Sequence, residues 1–220
     1  MNFIKKLLGF GQASAEVKEV KPIDKSFWEM HHNAKDHYWL TGSTLSEIMR
    51  FHELAENNLK NKKILEVGVG EGNLIRELKE FSDEIICCDI SESALVKVEP
   101  YAYKTYLSPN LSQIEPVDFA LCHLVFQHCT NAEIERIIKE VNLKEDGVFS
   151  FQFAYLRDNA PPNRIVRNLV KSGSHHFRTL AEIREMVTRS NKQIVSVSKP
   201  FDFYKPENFS WLTVKVQNKL

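Results

Sequence analysis

No run in this 220-residue chain approaches the roughly twenty consecutive apolar residues needed to cross a bilayer, so a spanning helix is excluded. Cysteine is scarce. Of four, Cys87 and Cys88 are adjacent within an apolar run, which gives neither a disulfide framework nor a paired C-x-x-C and suits a reducing cytoplasm. Charge of one sign is not in excess: Lys plus Arg and Asp plus Glu are 29 each, so no global field draws the chain to nucleic acid or anionic lipid. Also missing are a Ser-His-Asp arrangement with nucleophile-elbow spacing, a P-loop, an H-E-x-x-H pair, an internal repeat and a low-complexity tract. The composition that remains, 43% hydrophobic and 26% charged, is that of an ordinary globular protein with one good-sized core. The first ten residues resemble a signal peptide only faintly, because their apolar part is short and broken by Lys5 and Lys6. Residues 1–25 read as a flexible leader, with a small membrane-surface segment as the other reading.

What is present centres on Ile64-Leu65-Glu66-Val67-Gly68-Val69-Gly70-Glu71-Gly72-Asn73-Leu74. An apolar run that ends in close-spaced glycines and continues in a helical pattern is a strand–turn–helix unit. Such a unit binds nucleotide-like ligands because backbone can approach where a Cβ would clash. A dinucleotide fingerprint wants glycine where Asn73 stands; here the third glycine falls early, at Gly72. About twenty residues on, Glu84 to Ile90 is a second apolar run ending in Asp89. Ligands of open parallel sheets lie beyond the carboxyl ends of the strands, so Asp89 is placed to accept hydrogen bonds from two ribose hydroxyls. The plainer reading is that Asp89 caps the next helix and the glycines only make a tight turn.

The remaining periodicities give the order of elements. Residues 26–61 read as an N-terminal helical cap, with Phe27, Trp28, Tyr38 and Trp39 ahead of a helix from Ser43 to Leu59 that carries Leu45, Ile48, Met49 and His52 on one face. Strands follow at Ala102–Leu107, Val117–Cys122, Gly147–Ala154, Gln193–Ser198 and Phe209–Val216. Thr130-x-x-Glu133 and Thr179-x-x-Glu182 are capping boxes, the first opening a helix to Val141 with Ile134, Ile137 and Ile138 inward, the second a helix with Ile183, Met186 and Val187 inward. Strands alternating with helices predict an α/β, Rossmann-like three-layer sandwich. Its seven-stranded sheet is mostly parallel, with one antiparallel strand near the C-terminus.

From about Lys62 to its end the chain resembles the class I methyltransferases that use S-adenosylmethionine. Glu66, Gly68, Gly70 and Gly72 match that family's first motif, Asp89 its ribose-binding acid, and Asp118 to His128 its fourth-strand pattern. The resemblance implies a domain over 62–220 that transfers a methyl group from S-adenosylmethionine to oxygen or nitrogen of a small acceptor. A sugar-containing metabolite or polysaccharide precursor leads, on the tail and a locally basic segment. Glu66 and the three glycines would hold the methionine end, Asp89 the ribose, and Ser108 to Leu111 the adenine, with Ile90, Cys122 and Trp39 as further donor contacts. Many relatives place an aspartate before the fourth strand to bind the adenine amino group; here Leu107-Ser108-Pro109-Asn110-Leu111 stands there, leaving Ser108 or Asn110 to substitute.

Methyl transfer needs positioning, exclusion of water and at most one base. His123, just past the fourth strand, is the first candidate for base or acceptor contact, and His128 the second; each could instead be a polar residue that only lines the site or bonds backbone. His175, His176 and Arg178, with Arg157, Arg164, Arg167 and Lys171, form a basic segment suited to an anionic acceptor, or else a solvated helix face. Cys122, His123, His128 and Cys129 do not have common zinc spacing, and the His31-His32 and His175-His176 pairs do not by themselves require metal. A non-catalytic binding subunit and a nicotinamide oxidoreductase are the rival functions. Methylation of RNA is disfavoured by the balanced charge, and a homodimer stays open.

Overall fold

The computed structural model describes residues 24–33, 44–156, 167, 170–171, 175–201 and 209–219. In chain order the described elements are α1 (Lys25–Asn33), α2 (Leu45–Phe51), β1 (Ile64–Val67), α3 (Asn73–Leu78), β2 (Ile85–Asp89), α4 (Glu92–Val98), β3 (Lys104–Leu107), β4 (Val117–Cys122), α5 (Asn131–Glu140), β5 (Leu143–Leu156), α6 (Leu180–Arg189), β6 (Lys192–Val197) and β7 (Phe209–Asn218). Short 3-10 turns at Ser108–Gln113 and Phe126–His128 complete the strand-end loops. The sheet order is β3-β2-β1-β4-β5-β7-β6. The first five strands run parallel, and β7 is antiparallel to both its neighbours, as the closing strand pair in the sequence predicts.

Alternation across the pleat assigns each strand residue to a side. Leu65, Val67, Ile86, Cys88, Ala120, Cys122, Phe149, Phe151 and Phe153 face one core, closed by Ile134, Ile137 and Ile138 of α5 and Ile183, Met186 and Val187 of α6. Ile64, Ile85, Cys87, Phe119 and Leu121 face the other, closed by α2, α3 and α4 through Leu45, Ile48, Leu74, Ile75, Leu78, Ala94, Leu95 and Val98. Helices on both sheet faces explain why the inner strands read as near-continuous apolar runs. Both capping boxes form, Thr130 with Glu133 and Thr179 with Glu182.

Two expected elements are shortened. The helix foreseen to Leu59 stops at Phe51, because Glu53 takes a left-handed φ of 48° and breaks the ladder; a single 3-10 turn at Glu56–Asn58 follows. His52 nevertheless keeps its inward direction and is fully buried. The third strand starts at Lys104 rather than Ala102.

Candidate active site

The order β3-β2-β1-β4-β5 reverses direction of build between β1 and β4, and there the loops after the strands part to form a crevice. A cleft of about 340 Å³ occupies it, lined by Glu66, Gly68, Gly70, Asp89, Ile90, Ser108, His123 and His128 among the residues named from sequence. That volume is within the ordinary range for small-ligand sites.

The glycine loop carries three left-handed residues, but the glycines serve different ends. A Cβ on Gly68 would stand 2.3 Å from Val125 Cγ2, and one on Gly72 2.4 Å from Val98 Cγ1. Both therefore permit packing. Gly70, at φ 52°, has only His32 Cε1 near it, at 4.0 Å, and faces the cleft. Its N–H donates to Asp89 Oδ2 at 3.1 Å, while Ser91 N–H donates to Oδ1 at 2.9 Å, so one carboxylate ties the two strand-end loops together. Each oxygen keeps acceptor capacity for a further donor.

Glu66 is the second acid of the cleft. Burial first, and the nearby Asp89 second, push its carboxyl up to about 8, and among the described residues its Oε2 has no hydrogen-bond partner. Asp89 is likewise raised by burial, against the backbone donors that favour its charge. Two crowded carboxyls, one with an orphaned oxygen, form a site that gains from a cation. An open glycine edge, a carboxylate with acceptor capacity to spare and an acid oxygen without a partner among the described residues together fit S-adenosylmethionine, with its sulfonium and ammonium charges.

One wall joins Trp28 and His32 to residues that sequence reasoning left aside. His32 is 4% exposed, with Nδ1 2.7 Å from Glu71 Oε1, and Lys97 bonds both Glu71 oxygens at 2.8 Å. Burial opposes ionisation of Glu71, yet Lys97 and His32 hold its pKa below the usual carboxylate value. His32 is thus paired with a carboxylate. Trp28 stacks on His32 with centroids 6.0 Å apart and meets His128 edge-on at 5.2 Å. Helix α1 is fixed in place by Glu29, which accepts from Ser91 Oγ, Glu92 N and Ser93 N at the start of α4. At the turn after β3 Arg136 donates to both the carbonyl and the hydroxyl of Ser108. Such pairings join residues tens of positions apart, and no local pattern announces them.

At the opposite end His123 meets His52, Nδ1 to Nε2 at 3.1 Å, and His52 Nδ1 lies 2.7 Å from Ser150 Oγ. Burial brings His123 down to about 3 and His52 well below its ordinary value. Both rings are therefore neutral near pH 7.

Other expected site residues fall elsewhere. Leu111 and Cys122 are fully buried in the α5/α6-side core and do not line the cleft, Gly72 packs behind the loop, and Asn110 is exposed. Arg178 is 2% exposed and turned inward: it donates to Asn131 Oδ1 and to the carbonyls of Phe126, Cys129 and His176. Its guanidinium organises the loop that carries His128, so it does not serve as the cleft-facing cation foreseen from the basic segment. His175 packs its ring on His128 at 5.1 Å, and burial lowers it to about 4; His176 is lowered also by burial, then by Arg178. Arg167 and Lys171 are exposed. Trp39, Tyr38, Arg157 and Arg164 lie outside the described residues. Among the described residues no three His, Cys, Asp or Glu side chains are grouped to hold a metal ion, and no helix is long and apolar enough to cross a membrane.

The family model described as a methyltransferase domain matches residues 64–147. No curated protein matches the chain. Among solved structures, a SAM-dependent methyltransferase from Methanosarcina mazei is 18% identical, with a TM-score of 0.59 over 81% of this chain and 100% of that one. Magnesium protoporphyrin IX methyltransferase from Synechocystis with bound S-adenosylhomocysteine is 17% identical, with a TM-score of 0.61 over 89% and 100%. The N-methyltransferase NodS from Bradyrhizobium japonicum, also with S-adenosylhomocysteine, is 14% identical, with a TM-score of 0.59 over 88% and 97%. These likenesses carry the fold, and the family match carries the chemistry. The chain thus carries a methyltransferase-domain match over residues 64–147, in a fold and with a cleft consistent with the class I methyltransferases that use S-adenosylmethionine.

Proposed function

We propose that the chain methylates an oxygen or nitrogen of a small acceptor bound at the His123 end of the cleft. The observation that carries this reading is that the Gly70–Asp89–Glu66 cradle and His123 line one continuous crevice. S-adenosylmethionine supplies a methyl group already made electrophilic by its sulfonium. The chain's own residues then have three tasks. Gly70 and Asp89 hold the ribose side, Glu66 receives the cationic end, and Ser108, with Arg136 behind it, meets the adenine. His123 contacts the acceptor, flanked by His128 and, through it, His175. Trp28 and His32, on a cap segment over residues 26–61 between the leader and the 62–220 domain, form the wall that excludes water.

An uncharged acceptor end is the physically consistent one beside a sulfonium: His52, His123 and His175 are all held neutral, so no competing cation is buried there. The sugar-containing acceptor inferred from the basic segment now leans on Arg167 and Lys171 at the surface. It remains the class to test first. A screen with methyl-labelled S-adenosylmethionine against nucleotide sugars, free sugars and sugar acids is expected to label one class. Retained S-adenosylmethionine affinity with no labelled acceptor would favour a non-catalytic binding subunit.

A further inference from the structure

Two buried polar atoms of cleft-lining residues lack a partner among the described residues, Glu66 Oε2 and Gln127 Oε1. The other such atoms both belong to Gln152, which does not line the cleft. Glu66 is an acid at the end of β1, beside Asp89, and suits the cationic end of S-adenosylmethionine. Gln127 differs in charge and in place. It is neutral, 4% exposed, and stands in the segment after β4 that also carries His123 and His128.

The chain fixes how this amide points. Arg178 donates to the carbonyl of Phe126, and the N–H of His176 to that of Gln127, which pins the turn. The side-chain Nε2 donates to the carbonyl of Leu124 and lies 3.1 Å from His128 Nε2. A carbonyl can only accept, so the Leu124 contact alone settles which end of the amide bears hydrogen. Leu124 itself holds a left-handed φ of 55°, which is costly for a leucine and persists only where the surroundings impose it. Oε1 is therefore the end left over, a buried acceptor without a donor among the described residues. Such an atom gains when a donor hydrogen is brought to it.

We propose that Gln127 is a further acceptor-binding residue: its Oε1 receives an N–H of a neutral amine, and that nitrogen is the atom methylated. This deepens, and rests on, the reading that places the acceptor at the His123 end of the cleft. An amide oxygen accepts a hydrogen bond but takes no proton at neutral pH. An alcohol gives up its one O–H hydrogen to become an ether, so a hydrogen aimed at Gln127 would have no destination there. A carboxylate has none to offer. A primary or secondary amine keeps an N–H throughout, and its lone pair stays free for the methyl carbon. The step balances without a base. The N–C bond forms from the nitrogen lone pair as the S–C bond breaks, and that bonding pair stays on sulfur. The sulfonium becomes a neutral thioether, and the amine becomes an N-methylammonium that loses a proton to water after release. Positive charge thus grows on the nitrogen whose hydrogen Oε1 holds, so this hydrogen bond is stronger in the transition state than before it.

The first test needs no known acceptor. Sinefungin carries CH–NH2 where S-adenosylmethionine carries S–CH3, so it sets an amine at the point of transfer. Full-length wild type and Gln127→Leu are titrated calorimetrically with S-adenosylhomocysteine, S-adenosylmethionine and sinefungin. Sinefungin affinity is expected to fall about tenfold in the variant, with the other two within about threefold of wild type. A sinefungin loss no larger than the loss for S-adenosylhomocysteine overturns the proposal. Should Gln127→Leu not fold, a crystal of wild type with sinefungin decides. Oε1 within about 3.2 Å of the amine supports the proposal, and Oε1 bonded to any other donor overturns it. Labelled-methyl transfer to glucosamine and N-methylglucosamine, but not to N,N-dimethylglucosamine or glucose, supports the amine class; transfer to glucose alone overturns it. Failure of wild type to bind S-adenosylhomocysteine would instead remove the cofactor reading, and unchanged turnover in His123→Ala the placing of the acceptor on which this rests.

Discussion

Replacing Gly70 by arginine abolishes binding of S-adenosylmethionine and leaves the protein folded. Among the described residues only the edge of His32 comes near the missing Cβ, at 4.0 Å, so the added side chain meets none of their backbone and grows into the cleft. A non-glycine residue at φ 52° costs about 1–2 kcal/mol. That is small against the 5–15 kcal/mol that holds a typical domain together. The guanidinium then occupies part of a cleft of about 340 Å³ and sets a positive charge beside the place proposed for the sulfonium. A loss of at least about hundredfold in affinity, near 2.7 kcal/mol, is expected. Gly68→Ala is the informative contrast. Its Cβ would lie 2.3 Å from Val125, so that variant is expected to lose melting temperature first and affinity only as a consequence. Thermal melts and isothermal titration on both variants check the pair. Wild-type affinity in Gly70→Arg would remove the loop from the binding site.

Substituting His123 by alanine has the largest expected effect on turnover. His123 lines the cleft with Asp89, so on the reading that it contacts the acceptor kcat should fall about hundredfold, the size of a lost, well-aimed contact in a dry site. Affinity for S-adenosylmethionine should stay within about threefold. The pH dependence follows from burial, which holds the His123 pKa at about 3. A neutral imidazole is present throughout the working range, so the pH–rate profile carries no limb near 6.5 from this residue. Stability behaves differently. In the unfolded chain the ring regains a pKa near 6.5, so between about 6.5 and 3 the unfolded state binds a proton that the folded state refuses. Stability is therefore lost as pH falls through that window, and His52 and His175 add to the same slope. His123→Ala should flatten it, visible in melts compared at pH 7 and pH 5. Turnover like wild type would show that His123 only lines the cleft.

The parts of this account legible in sequence are the ones governed by local rules. Continuous apolar strands announced a sheet covered on both faces, two Thr-x-x-Glu boxes marked where α5 and α6 begin, and the close glycines followed by Asp89 located the crevice. Periodicity also put His52 on an inner face, but could not say that it would meet His123, 71 positions away, and Ser150, 98 away. The same limit hid the pairing of His32 with Glu71 and the inward turn of Arg178, whose neighbours in sequence made it look like part of an exposed basic face. The helix expected to Leu59 was overextended because nothing in its apolar spacing reveals the left-handed backbone at Glu53. Contacts set by tertiary packing override local pattern, and they concentrate in the site.

The most direct measurement is isothermal titration of the purified protein with S-adenosylmethionine and, separately, with NADH. One-to-one binding of S-adenosylmethionine, abolished in Asp89→Ala, with no heat from NADH, is the result this account predicts. Heat from NADH alone, or none from S-adenosylmethionine, would contradict it.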